Sequence, residues 1–189
     1  MYPDLYLIRH GQTEWNREGR LQGLLDSPLT DLGRDQARAL AGLVGGIPAH
    51  RISSPQGRAV ETARLLFGGE DFTTDARLAE IDIGAFTGHL FDDLRSAHPA
   101  VFHGARLAWY DRAPGGEHFA GLHARAAAFL DALPGPAVVV THAITLRMLR
   151  SLAMGGGLDM LDAFPVEQGA VHVVRAGRHE IRRPAQAPL

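Results

Sequence analysis

Short apolar runs rich in β-formers alternate with amphipathic stretches along this chain, and that alternation limits its fold more than any other feature. Leu5-Tyr6-Leu7-Ile8 can form a buried strand, ending at Arg9-His10-Gly11, where glycine permits a sharp turn. Asp26-Ser27-Pro28 marks a turn, and Thr30 can cap a helix over about 31–44. In that stretch Ala37, Leu40, Ala41 and Val44 share one face, and Gly45-Gly46 stops it. Ile52-Ser53 reads as the end of a second strand. Ser54-Pro55 reads as an N-cap followed by proline at the first helical position, opening a helix to about Phe67 with Arg58 in its first turn.

A longer helix is expected over about 116–133, with Phe119, Leu122, Ala126, Phe129 and Leu133 at helical spacing, broken by Pro134-Gly135-Pro136. Ala137-Val138-Val139-Val140 is the clearest buried strand, and Thr141-His142 begins the next helix, to about Met154. Val171 to Val174 and Glu180 to Arg182 flank Ala176-Gly177 and predict a terminal hairpin. Arg183 to Leu189, with two prolines, is expected to fray. With neither a repeat nor a linker, the 189 residues predict one α/β domain: three layers, with a mainly parallel sheet covered by helices on both faces.

Composition narrows the chemistry. The chain has no cysteine, which removes thiolate nucleophiles, disulfides and Cys-metal sites. All nineteen basic residues are arginine, so a P-loop lysine and Schiff-base chemistry are also out. A formal charge of −2 offers no field for gathering nucleic acid, and no apolar run reaches membrane-spanning length. The first ten residues lack a secretory pattern, so a cytoplasmic location is expected.

Polar residues interrupt the scaffold at comparable places. His10 follows the first strand, Arg58 lies just past the second, Glu80 sits in a loop, and His142 follows the valine-rich strand. Ligands of open α/β sheets bind beyond the carboxyl ends of the strands, where Arg9, His10, Arg58 and His142 could converge. Planar bidentate donors, two imidazoles and the starts of two helices suit an oxyanion such as a phosphate monoester, held without a metal. Taken singly, each residue is ordinary; their shared position gives them meaning. The remaining histidines form no familiar metal pattern, and Gly155-Gly156-Gly157 lacks a nucleotide fingerprint.

The stretch Leu7-Ile8-Arg9-His10-Gly11-Gln12-Thr13-Glu14-Trp15-Asn16 resembles the opening motif of the histidine phosphatase superfamily, which includes the cofactor-dependent phosphoglycerate mutases. The resemblance continues through Gly19 to Gly23, Asp26 to Thr30 and Gly33. Further blocks, in family order, are Ser53-Ser54-Pro55 with Arg58-Ala59 and Thr62-Ala63; Glu80-Ile81-Asp82 with Gly84 and Gly88; Pro114 to Glu117; and Val139 to His142.

The resemblance implies that His10 is a nucleophile carrying phosphate, that Arg9, Arg58 and His142 bind the phosphoryl oxygens, and that Glu80 is the general acid and base. Asn16, Gln22, Gly23 and the amide of Ala143 would complete the phosphate and substrate contacts. Whether His142 acts as a cation or as a neutral donor is left open. Ala143-Ile144, His118, Gly57 and Glu61 depart from common family residues and bear on substrate identity rather than on the reaction. The expected function is a metal-independent phosphomonoesterase acting on a small phosphorylated metabolite, with no cofactor and with neither nucleic acid nor membrane as partner. The short stretch between Gly88 and Pro114 favours hydrolysis over the mutase reaction. Other readings are a phosphoglycerate mutase, an α-ribazole phosphate phosphatase and a non-catalytic binder of phosphorylated ligands.

Overall fold

The computed structural model describes residues 1–185. In chain order the regular elements are β1 (Leu5–Arg9), α1 (Glu14–Glu18), α2 (Asp31–Ala39), α3 (Ala41–Val44), β2 (His50–Ser53), α4 (Gly57–Phe67), β3 (Thr73–Thr74), α5 (Phe91–Ala97), α6 (His118–Asp131), β4 (Ala137–Thr141), α7 (Ala143–Ala153), β5 (Val171–Arg175) and β6 (Arg178–Arg182). The strands form one sheet in the order β3-β2-β4-β1-β5-β6. Pairing is parallel from β3 to β1, and β5 and β6 close one side antiparallel.

Side chains alternate across a strand, so β1 and β4 feed two separate cores. Leu5, Leu7, Ala137 and Val139 pack with Leu122, Phe129, Leu146 and Leu149 of α6 and α7. Tyr6, Ile8, Val138 and Val140 face the other way, onto Leu40, Val44, Ala59, Ala63 and Leu66 of the α2–α4 side. Both faces are therefore covered, the arrangement expected of a sheet whose central strands are apolar throughout. No helix among the described residues is long and apolar enough to cross a membrane.

The structure corrects some boundaries. The helix expected over 31–44 is two helices meeting at Leu40, whose N–H reaches Ala37 as well as Arg38; the apolar face survives, with Leu40 and Val44 buried. Ser54 does not cap α4. That helix starts at Gly57, and its first amides are capped across the molecule by the Asp26 carboxylate, at 2.5 Å to Gly57 N and 3.2 Å to Arg58 N. At the start of the tail expected to fray, the Arg183 guanidinium bonds both oxygens of Glu167. Residues 186–189 of that tail lie outside the described residues.

One backbone contact sets where β1 ends. Gly11 and Gly33, at the start of α2, approach so closely that a Cβ on Gly11 would run into the Gly33 carbonyl, and one on Gly33 into the Gln12 carbonyl. The Gly11 N–H donates to Thr62 Oγ1 on α4 (3.1 Å), so the turn after β1 is gripped by two helices.

Candidate active site

Register brings the two site histidines together. Arg9 pairs with Thr141 in the parallel β1–β4 ladder, so His10 and His142 are the next residues of adjacent strands. Their ring centroids are 5.2 Å apart. Ser53 pairs with Val140 on the other flank of β4, which places Ser54 beside them. Strands that end level thus deliver three polar side chains to one edge of the sheet. The neighbouring β1–β5 pair is antiparallel, so the site lies where the sheet changes direction.

A cavity of about 110 Å³ opens at this edge, lined by Arg9, His10, Asn16, Gln22, Gly23, Arg58, Glu80 and Ala143 together with Arg20, Leu21, Ile81, Ile83 and Tyr110. Every residue expected from the sequence to bind or act on phosphate is on this wall except His142. That ring is fully buried directly behind His10.

His10 Nδ1 lies 2.8 Å from the Gly11 carbonyl, which can only accept, so Nδ1 carries the proton. Burial, reinforced by the Arg9 and Arg58 cations, holds this imidazole well below the ordinary histidine range, so its Nε2 is a bare nitrogen at neutral pH. His142 is held down in the same way by burial, Arg58 and His10; of the two forms left open by the sequence, it is the neutral one. Ser54 Oγ accepts from Gln56 N–H, and its own hydrogen has no acceptor among the described residues other than His142 Nε2, at 2.7 Å; with that hydrogen on Nε2, the ring proton sits on Nδ1. That Nδ1 has no partner among the described residues.

Arg58 is almost completely buried, and its terminal nitrogens are held in place. One donates to the Leu25 carbonyl and Asp26, the other to the Gly23 carbonyl. The loop 22–26 and the first turn of α4 are therefore one unit, joined through Asp26 at both the helix start and the guanidinium. Thr145 and Thr141 hydroxyls bond the carbonyls of Ala79 and Leu78, tying the 78–80 segment to the start of α7. Glu80 is thereby set against that helix terminus, where its Oε1 accepts from the amides of Ile81 and Thr145. Its Oε2 has only one long contact, with Ile144 N at 3.3 Å, and retains accepting capacity toward the cavity. With the second and third amides of α7 on Glu80, the Ala143 N–H at the cavity wall has no partner among the described residues.

The unpartnered atoms are the telling feature. Four buried side-chain polar atoms among the described residues lack any hydrogen bond: Arg9 Nε, Arg58 Nε, Gln22 Oε1 and His142 Nδ1. Buried polar groups normally find partners. Here all four belong to this one site, and three of them are donors. Gln22 holds Thr13 Oγ1 through its Nε2. A half-turn of its amide would keep that contact, with the threonine hydroxyl donating, and would present a fourth donor.

Five wall residues were not assigned to the site from the sequence: the apolar Leu21, Ile81 and Ile83, and the polar Tyr110 and Arg20. Tyr110 comes from a short helical turn (Ala108–Arg112), where it stacks on Trp109. Burial and the Glu80 carboxylate push its phenol above the ordinary range, so it stays protonated. Arg20 reaches the rim, held by Glu18 and the Gly88 carbonyl. No periodicity marks either polar residue.

Comparison with known proteins agrees with this geometry. A family model described as the histidine phosphatase superfamily (branch 1) matches residues 5–183. A probable phosphoglycerate mutase GpmB of Salmonella paratyphi C is 36% identical over 160 residues, covering 80% of this chain and 74% of that one. Among solved structures, Bacillus stearothermophilus YhfR superposes with a TM-score of 0.78 at 32% identity, covering 94% of each chain. A mycobacterial glucosyl-3-phosphoglycerate phosphatase superposes with a TM-score of 0.78 at 29% identity, covering 97% of this chain and 100% of that one. The order of the motifs, the sheet and the extent of these matches leave one conclusion: the chain belongs to the histidine phosphatase superfamily.

Proposed function

We propose that this protein is a metal-independent phosphomonoesterase that passes the phosphoryl group of a small metabolite through His10. The observation that carries the reading is the set of unpartnered buried donors, Arg9 Nε, Arg58 Nε and His142 Nδ1, gathered around a bare imidazole nitrogen. Donors of this kind suit the equatorial oxygens of a phosphoryl group in transfer, where they need no reorganisation to act. Asn16, Gln22 and the Ala143 amide add neutral contacts around them.

In the first step His10 Nε2 forms a bond to phosphorus as the ester P–O bond breaks. The departing oxygen takes its proton from Glu80. In the second, Glu80 accepts a proton from water as that water's oxygen bonds phosphorus, the N–P bond breaks, and inorganic phosphate leaves a neutral His10. Both arginines stay charged throughout, so the charge that a metal would otherwise supply comes from the protein. A cytoplasmic setting belongs to the same reading.

A mutase reading is favoured by the GpmB relatives, whose name is that of a phosphoglycerate mutase. Against it, the wall beyond the phosphate end is Leu21, Ile81, Ile83 and Tyr110, with Arg20 as its one cation among the described residues. A phosphoglycerate carries a carboxylate that this wall is poorly equipped to hold.

The test is turnover of p-nitrophenyl phosphate in EDTA, inhibition by vanadate, and a base-quenched label that is stable to alkali and labile in acid. His10→Ala is expected to abolish both label and turnover. A label on serine or aspartate, or activity restored only by Mg²⁺ or Zn²⁺, would refute the reading. Isomerisation of 3-phosphoglycerate with its bisphosphate cofactor, faster than hydrolysis, would turn it to the mutase.

A further inference from the structure

Gln168 lies far along the chain from the catalytic motifs, in the loop before β5, yet its side chain ends on two of the site residues. Its Nε2 is 3.2 Å from the His10 carbonyl oxygen and 3.1 Å from Asn16 Oδ1. Both are acceptors, so the end of Gln168 that faces them is its NH2, and each hydrogen of that group has one destination. Asn16 Oδ1 also accepts from Thr13 N–H at 3.2 Å. A carboxamide oxygen has two lone pairs, and here both are in use. The remaining face of Asn16, its own NH2, is the part left to meet an anion in the cavity.

The loop that carries Gln168 is anchored from below. Buried Arg150 donates to the carbonyls of Phe164 and Pro165 at 2.8 and 2.7 Å, and Arg147 adds a bond to Phe164. Glu167 N–H donates to His172 Nε2 at 3.2 Å. On the other side of Gln168, Gly169 takes the left-handed conformation (φ 68°), and Gln36 Cγ lies only 3.3 Å from where a Cβ would stand, so no larger residue fits there without strain. Meanwhile the His10 N–H is bonded to the Thr141 carbonyl at 2.9 Å. With Gln168 on its carbonyl, the residue that would carry phosphate is pinned at both ends of its backbone.

We infer that Gln168 is a positioning residue for phosphoryl transfer, a single amide that locks the His10 backbone and the Asn16 side chain into one unit. It touches neither substrate nor the reacting atoms and acts through those two residues. The inference rests on the reading of His10 as nucleophile and Asn16 as phosphate ligand.

The test uses the full chain with Gln168→Leu, Gln168→Glu, Asn16→Ala and the Asn16→Ala/Gln168→Leu double variant, each checked for an unchanged melting temperature. Readouts are vanadate affinity, steady-state label on His10, and kcat and KM for p-nitrophenyl phosphate. Gln168→Leu is expected to weaken vanadate binding about tenfold, the scale of one hydrogen bond to a group that matters. Gln168→Glu has the same shape but sets a carboxylate against two carbonyl oxygens, and it should be worse than leucine. In the Asn16→Ala background the leucine change should cost clearly less than in the wild type, because one of the two groups it holds is gone and only the His10 carbonyl remains. Two results overturn the inference: Gln168→Leu within about twofold of wild type, or single losses that multiply in the double variant. Failure of the wild type to bind vanadate or to label on His10 would overturn the functional reading and this inference with it, a pattern distinct from either.

Discussion

Two clusters in this chain are built from the same parts, two imidazoles, a glutamate and a buried arginine, and only one of them borders the cavity. At the cavity stand His10, His142, Glu80 and Arg58, the histidine rings 5.2 Å apart at 55°. Beneath the β5–β6 hairpin stand His172, His179, Glu167 and Arg150, the rings 5.5 Å apart and nearly parallel. In both clusters burial, with a neighbouring arginine behind it, pushes the imidazoles down; His172 and His179 each fall to about 4. A depressed histidine therefore does not distinguish a site from a piece of scaffold. What differs is whether hydrogen bonds are left unmade. His172 Nε2 accepts from Glu167 N–H, and its Nδ1 meets His179 Nε2 at 3.3 Å. The terminal nitrogens of Arg150 bond loop carbonyls and the Glu167 carboxylate bonds Arg183, and no atom of this cluster is among the buried side-chain atoms left without a partner. In the first cluster Arg58 Nε and His142 Nδ1 have no partner, and Glu80 Oε2 has only its one long contact.

Matched substitutions can break this contrast. The largest difference is expected at the two glutamates. Glu80→Gln removes the titrating proton and should lower kcat/KM by roughly 10²- to 10⁴-fold on an alkyl phosphate, whose basic leaving oxygen needs that proton. The loss should be clearly smaller on p-nitrophenyl phosphate. Glu167→Gln should leave both substrates within about threefold, since its partner Arg183 is a surface ion pair. Equal losses for Glu80→Gln on the two esters would make Glu80 an orienting group and pass the acid role to Asp82.

Next come the arginines. Arg58→Lys keeps the charge but cannot hold Gly23, Leu25 and Asp26 and still present a planar donor to phosphate, so turnover should fall roughly 10²-fold. Arg150→Lys should chiefly lower the melting temperature, and the two clusters would be alike in kind if it cost as much activity as Arg58→Lys.

The smallest effect concerns acid. A histidine held near 4 in the fold and near the ordinary 6.5 when unfolded is protonated more readily by the unfolded chain in between. Stability is therefore full above about pH 6.5 and is lost as pH falls toward 4, by about 3 kcal/mol for His172. His172→Asn, which cannot titrate, should flatten that part of the stability–pH curve measured by urea unfolding. An unchanged slope would show that the hairpin pair does not sense acid.

The first cluster was largely legible in the sequence, because His10, Arg58 and His142 sit just beyond predicted strands and the family pattern marks Glu80. The second was invisible: His172 and His179 read only as hairpin residues. Arg147 and Arg150 read as ordinary residues of a helix, although their side chains are buried against loop carbonyls. The cap of α4 was misassigned for the same reason. Ser54 is local and Asp26 is not, and the winning carboxylate arrives from 31 residues away. Tyr110 and Gln168 complete the picture, since an aromatic in a short turn and an amide in a loop carry no period. Sequence reveals what a strand end or a repeat spacing displays; it hides contacts made by chains that meet only after folding.

The close approach of Gly11 and Gly33 has an evolutionary side. Backbone lies against backbone there, so a methyl group on either residue would have to push α2 away from the end of β1. The displacement would be felt one residue away, at the histidine, rather than dispersed through the core. Lineages of this chain could exchange most of the residues packed beneath the site in small compensating steps. These two positions offer no such path, because no smaller residue exists from which to start and no neighbouring side chain can be trimmed to make room.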